Sequence, residues 1–153
     1  MNRLLLVIFL TCAGPVSFSQ PVYPYGDIKL EKPSDYKETA SLALSAATFL
    51  LSTPFIEVDR DRAAALKFLS DWMIGTKAPT FYMQGKAAEI SFDKNLFSLY
   101  IAAMAKYSLE NKSESANPMQ VELNASKLVL AYCDEPKNNF KLKKKYRKLL
   151  ETN

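Results

Sequence analysis

"SDYKETASLALSAATFLLSTP", residues 34–54, decides the fold class. Ser34 can cap a helix N-terminus, and Asp35 follows in the first turn, where the helix dipole favours a negative charge. Tyr36, Ala40, Ala43, Ala47, Leu50 and Leu51 then recur at helical spacing, and Leu42, Leu44 and Phe49 widen the stripe over most of the circumference. A helix apolar on so much of its surface has to be enclosed by other elements. Thr53-Pro54 closes it, because the residue before a proline leaves the helical region. The stretch predicts one unbroken helix from Ser34 to about Thr53, in the middle of an all-α domain.

The pattern continues toward the C-terminus. A second helix is predicted from about Asp59 to Ile74, with Ala65, Leu66, Leu69, Trp72 and Met73 on one face and Gly75 as its stop. A third opens at Asp93 and brings Leu96, Phe97, Tyr100, Ala103, Met104 and Tyr107 into register. After a polar loop over 110–116, Asn117-Pro118 starts a fourth, with proline at the first helical position. Val121, Ala125, Leu128 and Tyr132 carry its face, and Pro136 ends it. A fifth begins around Asn139. Five helices with mostly short connections predict an antiparallel array, or bundle, of helical hairpins.

The exception is "TKAPTFYMQGKAAEISF", residues 76–92, a connection too long to be idle. Thr80 to Met83 have strand-like composition, and Gln84-Gly85 can turn the chain back on Lys86 to Ile90, so a small β-hairpin is expected here. Long connections bearing aromatic residues often carry binding. Phe81, Tyr82 and Met83, with Trp72 beside them, are the candidate binding residues; the competing reading is that Phe81 and Met83 plug one end of the core.

Upstream, "MNRLLLVIFLTCAGPVSFSQ" has a basic Arg3, an apolar run from Leu4 to Leu10 and small residues before Gln20. This is the pattern of a secretory signal peptide over 1–19, cleaved near Ser19, and it predicts an exported chain, periplasmic or secreted. Residues 20–33 form an extended lead-in rich in proline and tyrosine, and 34–153 a single helical domain. Lipidation at Cys12 is disfavoured by the bulk of Thr11 before it. Cys133 is then the one mature thiol, which leaves no intrachain disulfide; it is expected to pack as a small hydrophobe.

Several chemistries are excluded by residue type. The chain has no histidine, which removes the commonest general base, Ser-His-Asp and Cys-His arrangements, and most zinc sites. Gly14, Gly26, Gly75 and Gly85 are too far apart to form a phosphate-cradling loop. Glu57, Asp59 and Asp61 alternate like cation ligands, but Arg60 and Arg62 stand where a calcium loop needs further oxygens. They read as the capped, charge-decorated start of a helix. Asn111-Lys112-Ser113 and Asn124-Ala125-Ser126 would be glycan acceptors only in a eukaryotic secretory pathway. No cofactor or metal site is expected. The expected role is a non-catalytic binding module. A small carboxylate-dependent hydrolase of cell-envelope material is the alternative, which requires a cleft holding two acidic side chains.

Charge is sharply partitioned. Residues 137–150 hold seven of the 20 basic side chains and no acid, whereas residues 20–136 hold twelve basic and fifteen acidic ones. Lys141, Lys143, Lys144, Lys145, Arg147 and Lys148 form a candidate electrostatic face. Leu142, Tyr146, Leu149 and Leu150 fall within about a third of a helix circumference. Burying them returns about 1.5–3 kcal/mol each, against about 0.2–0.5 kcal/mol for each like-charge pair four residues apart. Packing wins, and the lysines read first as a solvated face. An acidic protein partner is the next reading. Peripheral membrane association through this helix comes third, since the stripe lacks the Trp and Phe of interfacial helices. Nucleic acid is not expected after export.

Asp71-Trp72-Met73…Gly75-Thr76, Ala131-Tyr132-Cys133…Pro136-Lys137-Asn138, the leader ending Ser-Phe-Ser-Gln and the lysine-rich end together resemble small exported all-helical proteins of Bacteroidetes-type bacteria. The resemblance implies export and an all-helical fold, and no functional residues. Leu128…Ala131…Pro136 also matches the end of a tetratricopeptide repeat, but no period runs along the chain.

Overall fold

Seven consecutive buried residues, Leu99 to Ala105, mark the centre of the molecule. They belong to a computed structural model that describes residues 25–77 and 81–152; the predicted leader and the first residues of the lead-in lie outside these. The described residues form seven helices and no strand: α1 (Pro33–Glu38), α2 (Ala40–Ser52), α3 (Arg60–Gly75), α4 (Lys86–Ile90), α5 (Lys94–Glu110), α6 (Pro118–Asp134) and α7 (Lys144–Glu151). The fold is all-α, but the five predicted helices become seven.

The central helix is α5, not the segment at 34–53. α5 packs against α2, α3, α4 and α6 and is buried on nearly every side through Leu96 and the 99–105 run. α2 buries one face, Ala43, Ala46, Ala47 and Leu50. The buried sides of α2 and α5 are both rich in alanine, and small side chains let helix axes approach closely. Fully buried Leu69, Ile90, Leu96 and Leu99 then each return about 1.5–3 kcal/mol.

The helix starts predicted at Asp59, Asp93 and Asn117 are observed, and each of these residues caps its helix. Asp59 accepts from the Asp61 and Arg62 N–H groups, Asp93 from Leu96, and Asn117 from Met119 and Gln120. Ser34 does not cap. Pro33 already occupies the first helical position of α1, where its missing N–H and fixed φ are at home. Asp35 instead turns back to accept from the Glu31 and Lys32 N–H groups at 2.9 and 2.8 Å. The predicted single helix is also interrupted at Thr39, whose φ of −91° and ψ of 6° leave the helical region. Its hydroxyl donates to the Asp35 carbonyl oxygen at 2.6 Å, the back-bonding that bends helices.

Two further expectations are corrected. Lys86 to Ile90 are α4 rather than the return strand of a hairpin. Gly85, at φ 56° and ψ −127°, starts a helical turn that buries Ala87 and Ile90 three residues apart. Ala, Glu and Lys are better helix formers than strand formers. The last helix begins at Lys144, not Asn139. A 3-10 turn over Pro136–Asn138 and a left-handed Asn139 (φ 49°) precede an extended strap. The strap seats Phe140 edge-on against Phe55 at 5.0 Å and Tyr132 at 6.4 Å, a placement a continuous helix would forfeit. Within the lead-in, Tyr25 is buried and stacks on Phe68 at 5.5 Å, which anchors this part to α3.

Candidate functional site

Two clefts draw on α5 and on the long connection after α3. The larger, of about 720 Å³, lies between α1, the end of α3, the second half of α5 and the loop that follows it. Its wall is built by a close approach. A side chain at Gly75 would fall inside the Tyr36 ring, so glycine lets α1 lie across the end of α3. The Tyr36 hydroxyl donates to the Leu30 carbonyl oxygen at 3.0 Å, and Trp72 Nε1 donates to the Tyr36 carbonyl oxygen at 2.8 Å. Both aromatic residues are thereby fixed. Exposed Lys37, Lys77 and Lys112 stand on the rim against one carboxylate, Glu31.

Ser108 is the feature that packing does not explain. It is 1 % exposed, it lines this groove, and its hydroxyl has no hydrogen-bond partner among the described residues. A helical serine ordinarily donates back to the carbonyl four residues earlier. A buried hydroxyl left unpaired costs about 1–3 kcal/mol.

The smaller cleft, of about 360 Å³, lies between the 82–87 segment, α5 and α6. Tyr100 lines it, is 1 % exposed, and its hydroxyl has no hydrogen-bond partner among the described residues. Burial pushes that phenol well above the ordinary tyrosine range, and the nearby Glu122 carboxylate adds to the effect. Glu122 is oriented by the Lys86 backbone N–H, which donates to its Oε2 at 3.1 Å.

The predicted binding residues separate. Trp72 is 1 % exposed and belongs to the core, touching the larger groove only along one wall. Phe81 packs edge-on against it at 6.3 Å, half-buried, as a plug. Tyr82 is exposed and lines the smaller cleft, whereas exposed Met83 lines neither.

The basic cluster is divided too. Lys143 pairs with Asp93 at 2.7 Å, and Arg147 pairs with Asp134 at 2.6 Å and with Glu151 at 3.7 Å. Partial burial works against ionisation of Asp93, but the Lys143 and Leu96 hydrogen bonds outweigh it and hold the carboxyl below its usual range. Lys145 lies over the Tyr146 ring at 4.4 Å. Lys141, Lys144 and Lys148 are exposed with no ion-pair partner among the described residues. Tyr146 and Leu150 are buried, with Leu142 and Leu149 packed beside them.

Neither cleft brings two carboxylates together among its described lining residues; each has one. Among the described residues no three of His, Cys, Asp and Glu gather as metal ligands. Cys133 is half-buried, and its thiol is pushed up to about 12, first by desolvation and then by Asp134. It is therefore protonated and poorly nucleophilic at neutral pH. No helix among the described residues is long and apolar enough to cross a membrane.

Sequence reading missed Ser108, Tyr36 and the rim lysines. One signal was present: Tyr100, Met104 and Ser108 share an apolar helical register, and a serine in that register has to find a partner or go without. No known protein family, curated protein or solved structure matches this chain.

Proposed function

We propose that the chain is an exported, non-catalytic binding module whose larger groove receives an acidic, partly apolar segment of a partner protein. The observation that carries this reading is the Ser108 hydroxyl, buried and unpartnered in the wall of a groove with fixed aromatic sides. A buried donor left open is satisfied when a ligand carbonyl or carboxylate arrives. Three rim lysines against one carboxylate give the ligand its sign, and Tyr36 and Trp72 give it an apolar body. Lys141, Lys144 and Lys148 extend positive charge elsewhere on the surface and would speed encounter with the same acidic partner.

Trp72 is the chain's one tryptophan, so its emission reports directly on the groove. Titration with a decapeptide of alternating glutamate and leucine should change that emission saturably. Replacing Lys77 and Lys112 together by alanine should weaken binding about 5–10-fold, as two exposed charge pairs allow. An equal response to the alternating lysine–leucine peptide, or none to either, would overturn the reading.

Ser108→Ala separates binding from folding. It removes an unsatisfied hydroxyl and installs a better helix former, so the urea midpoint should rise by the equivalent of about 1 kcal/mol. The same variant should bind the acidic peptide more weakly. A loss of stability would mean that the hydroxyl is satisfied in the free protein.

A further inference from the structure

The smaller cleft carries chemistry of the opposite sign. Among its described lining residues, the Glu122 carboxylate is the one charged group and the Tyr100 hydroxyl the one buried polar side-chain group, with the exposed Tyr82 and Gln84 side chains at the edge. Ser126 lies close to the phenol, but its hydroxyl donates to the Glu122 carbonyl oxygen at 2.8 Å and makes no hydrogen bond of ordinary geometry with it. Glu122 spends Oε2 on the Lys86 backbone N–H, while Oε1 takes no hydrogen bond from the described residues. Gly85 is held close, since a side chain there would stand 2.7 Å from Glu122 Oε2. Soft apolar surface comes from the Tyr82 ring, Met104 and Met119, the last 80 % exposed at the edge.

A fixed carboxylate with a free oxygen, a buried phenol oxygen without a partner, and walls of tyrosine and methionine suit one kind of guest. The geometry points to a binding site for a primary alkylammonium group. Its N–H groups would reach Glu122 Oε1 and the Tyr100 oxygen. Its carbon chain would lie along Met104 and Met119, and the exposed Tyr82 ring offers a π face to the positive charge. An alcohol would satisfy the phenol but leave the carboxylate uncompensated, and an anion would meet Glu122 with the same sign. The site is independent of the acidic-segment groove, with which it shares no lining residue.

Two sources present this group, a free amine and a lysine side chain, and the probes distinguish them. The full chain, labelled with nitrogen-15, is titrated with n-butylammonium, n-butanol and butyrate at equal ionic strength, and with Nα-acetyl-lysine amide. Butylammonium should shift the Gly85, Lys86 and Met119 amides saturably, with a dissociation constant on the order of millimolar. Glu122→Gln, which keeps an acceptor for the Lys86 N–H, should weaken this at least about tenfold. Tyr100→Phe should weaken it about 3–10-fold while leaving the chain no less stable. Acetyl-lysine amide binding as well as butylammonium assigns the site to a polypeptide lysine; butylammonium alone assigns it to a free amine. The proposal is overturned if butyrate or butanol shifts the same amides equally, if Glu122→Gln titrates like the parent, or if nothing shifts.

Discussion

Replacing Trp72 by alanine is expected to lower the unfolding free energy by about 3–5 kcal/mol. Trp72 is 1 % exposed on α3, so truncation removes its full apolar area from the core and leaves a cavity beside Phe81. It also removes the Nε1 hydrogen bond that ties α1 to α3 through the Tyr36 carbonyl oxygen. Trp72→Phe keeps most of the area and loses the N–H, and should lose about 1–2 kcal/mol. A domain of this size has about 5–15 kcal/mol in all, so the alanine variant should be marginal at room temperature. Urea unfolding followed by far-ultraviolet circular dichroism gives the difference. A loss below about 1.5 kcal/mol for alanine would mean that the indole is a wall of the groove rather than part of the core.

That result bears on how far the chain's organisation can be read in advance. Periodicity located α3, α5 and α6 with their starts at Asp59, Asp93 and Asn117, because each signal there is local: an oxygen-bearing side chain before an apolar repeat. The identity of the central helix was not local. Segment 34–53 is the more uniformly apolar to the eye, yet α5 is the one surrounded, and only the pairing of helices decides this. Of the hairpin expected over 80–90, Thr80 lies outside the described residues, and over 81–90 no strand forms: Lys86-Ala87-Ala88-Glu89 are helix formers, and Gly85 allows either turn. Trp72 and Phe81 are aromatic residues near a long connection, but aromatic type does not separate wall from core. Ser108 and Tyr100 were invisible as site residues, since a hydroxyl's lack of a partner is a property of three dimensions.

Arg62 illustrates the same limit most sharply, and its replacement by alanine is expected to lower stability by about 3–4 kcal/mol. As Asp59-Arg60-Asp61-Arg62 it looks like decoration on the first turn of α3. It is instead 6 % exposed, and its guanidinium closes the C-terminus of α2. Nη2 donates to the Leu50 carbonyl oxygen at 3.0 Å, and Nη1 donates to the Thr53 hydroxyl at 2.7 Å and more distantly to the Thr53 carbonyl oxygen at 3.3 Å. The Phe55 ring lies 5.5 Å from the cation. Helix ends leave their last carbonyls without partners, and a cation at that end also meets the negative pole of the dipole. Phe49 is served by the Thr53 N–H and hydroxyl, and Tyr132 donates to the Thr53 carbonyl oxygen at 2.8 Å. Leu50 therefore depends on Arg62. Alanine deserts that buried carbonyl, worth about 1–3 kcal/mol, and also loses the packed stem and the favourable charge. Lysine restores the charge but not the fork that reaches Leu50 and Thr53 together, so Arg62→Lys should fall between the two, losing about 1–2 kcal/mol. Urea midpoints at unchanged slope would give the order arginine, lysine, alanine. If lysine proves as stable as arginine, the charge alone closes α2 and the two-point geometry contributes nothing.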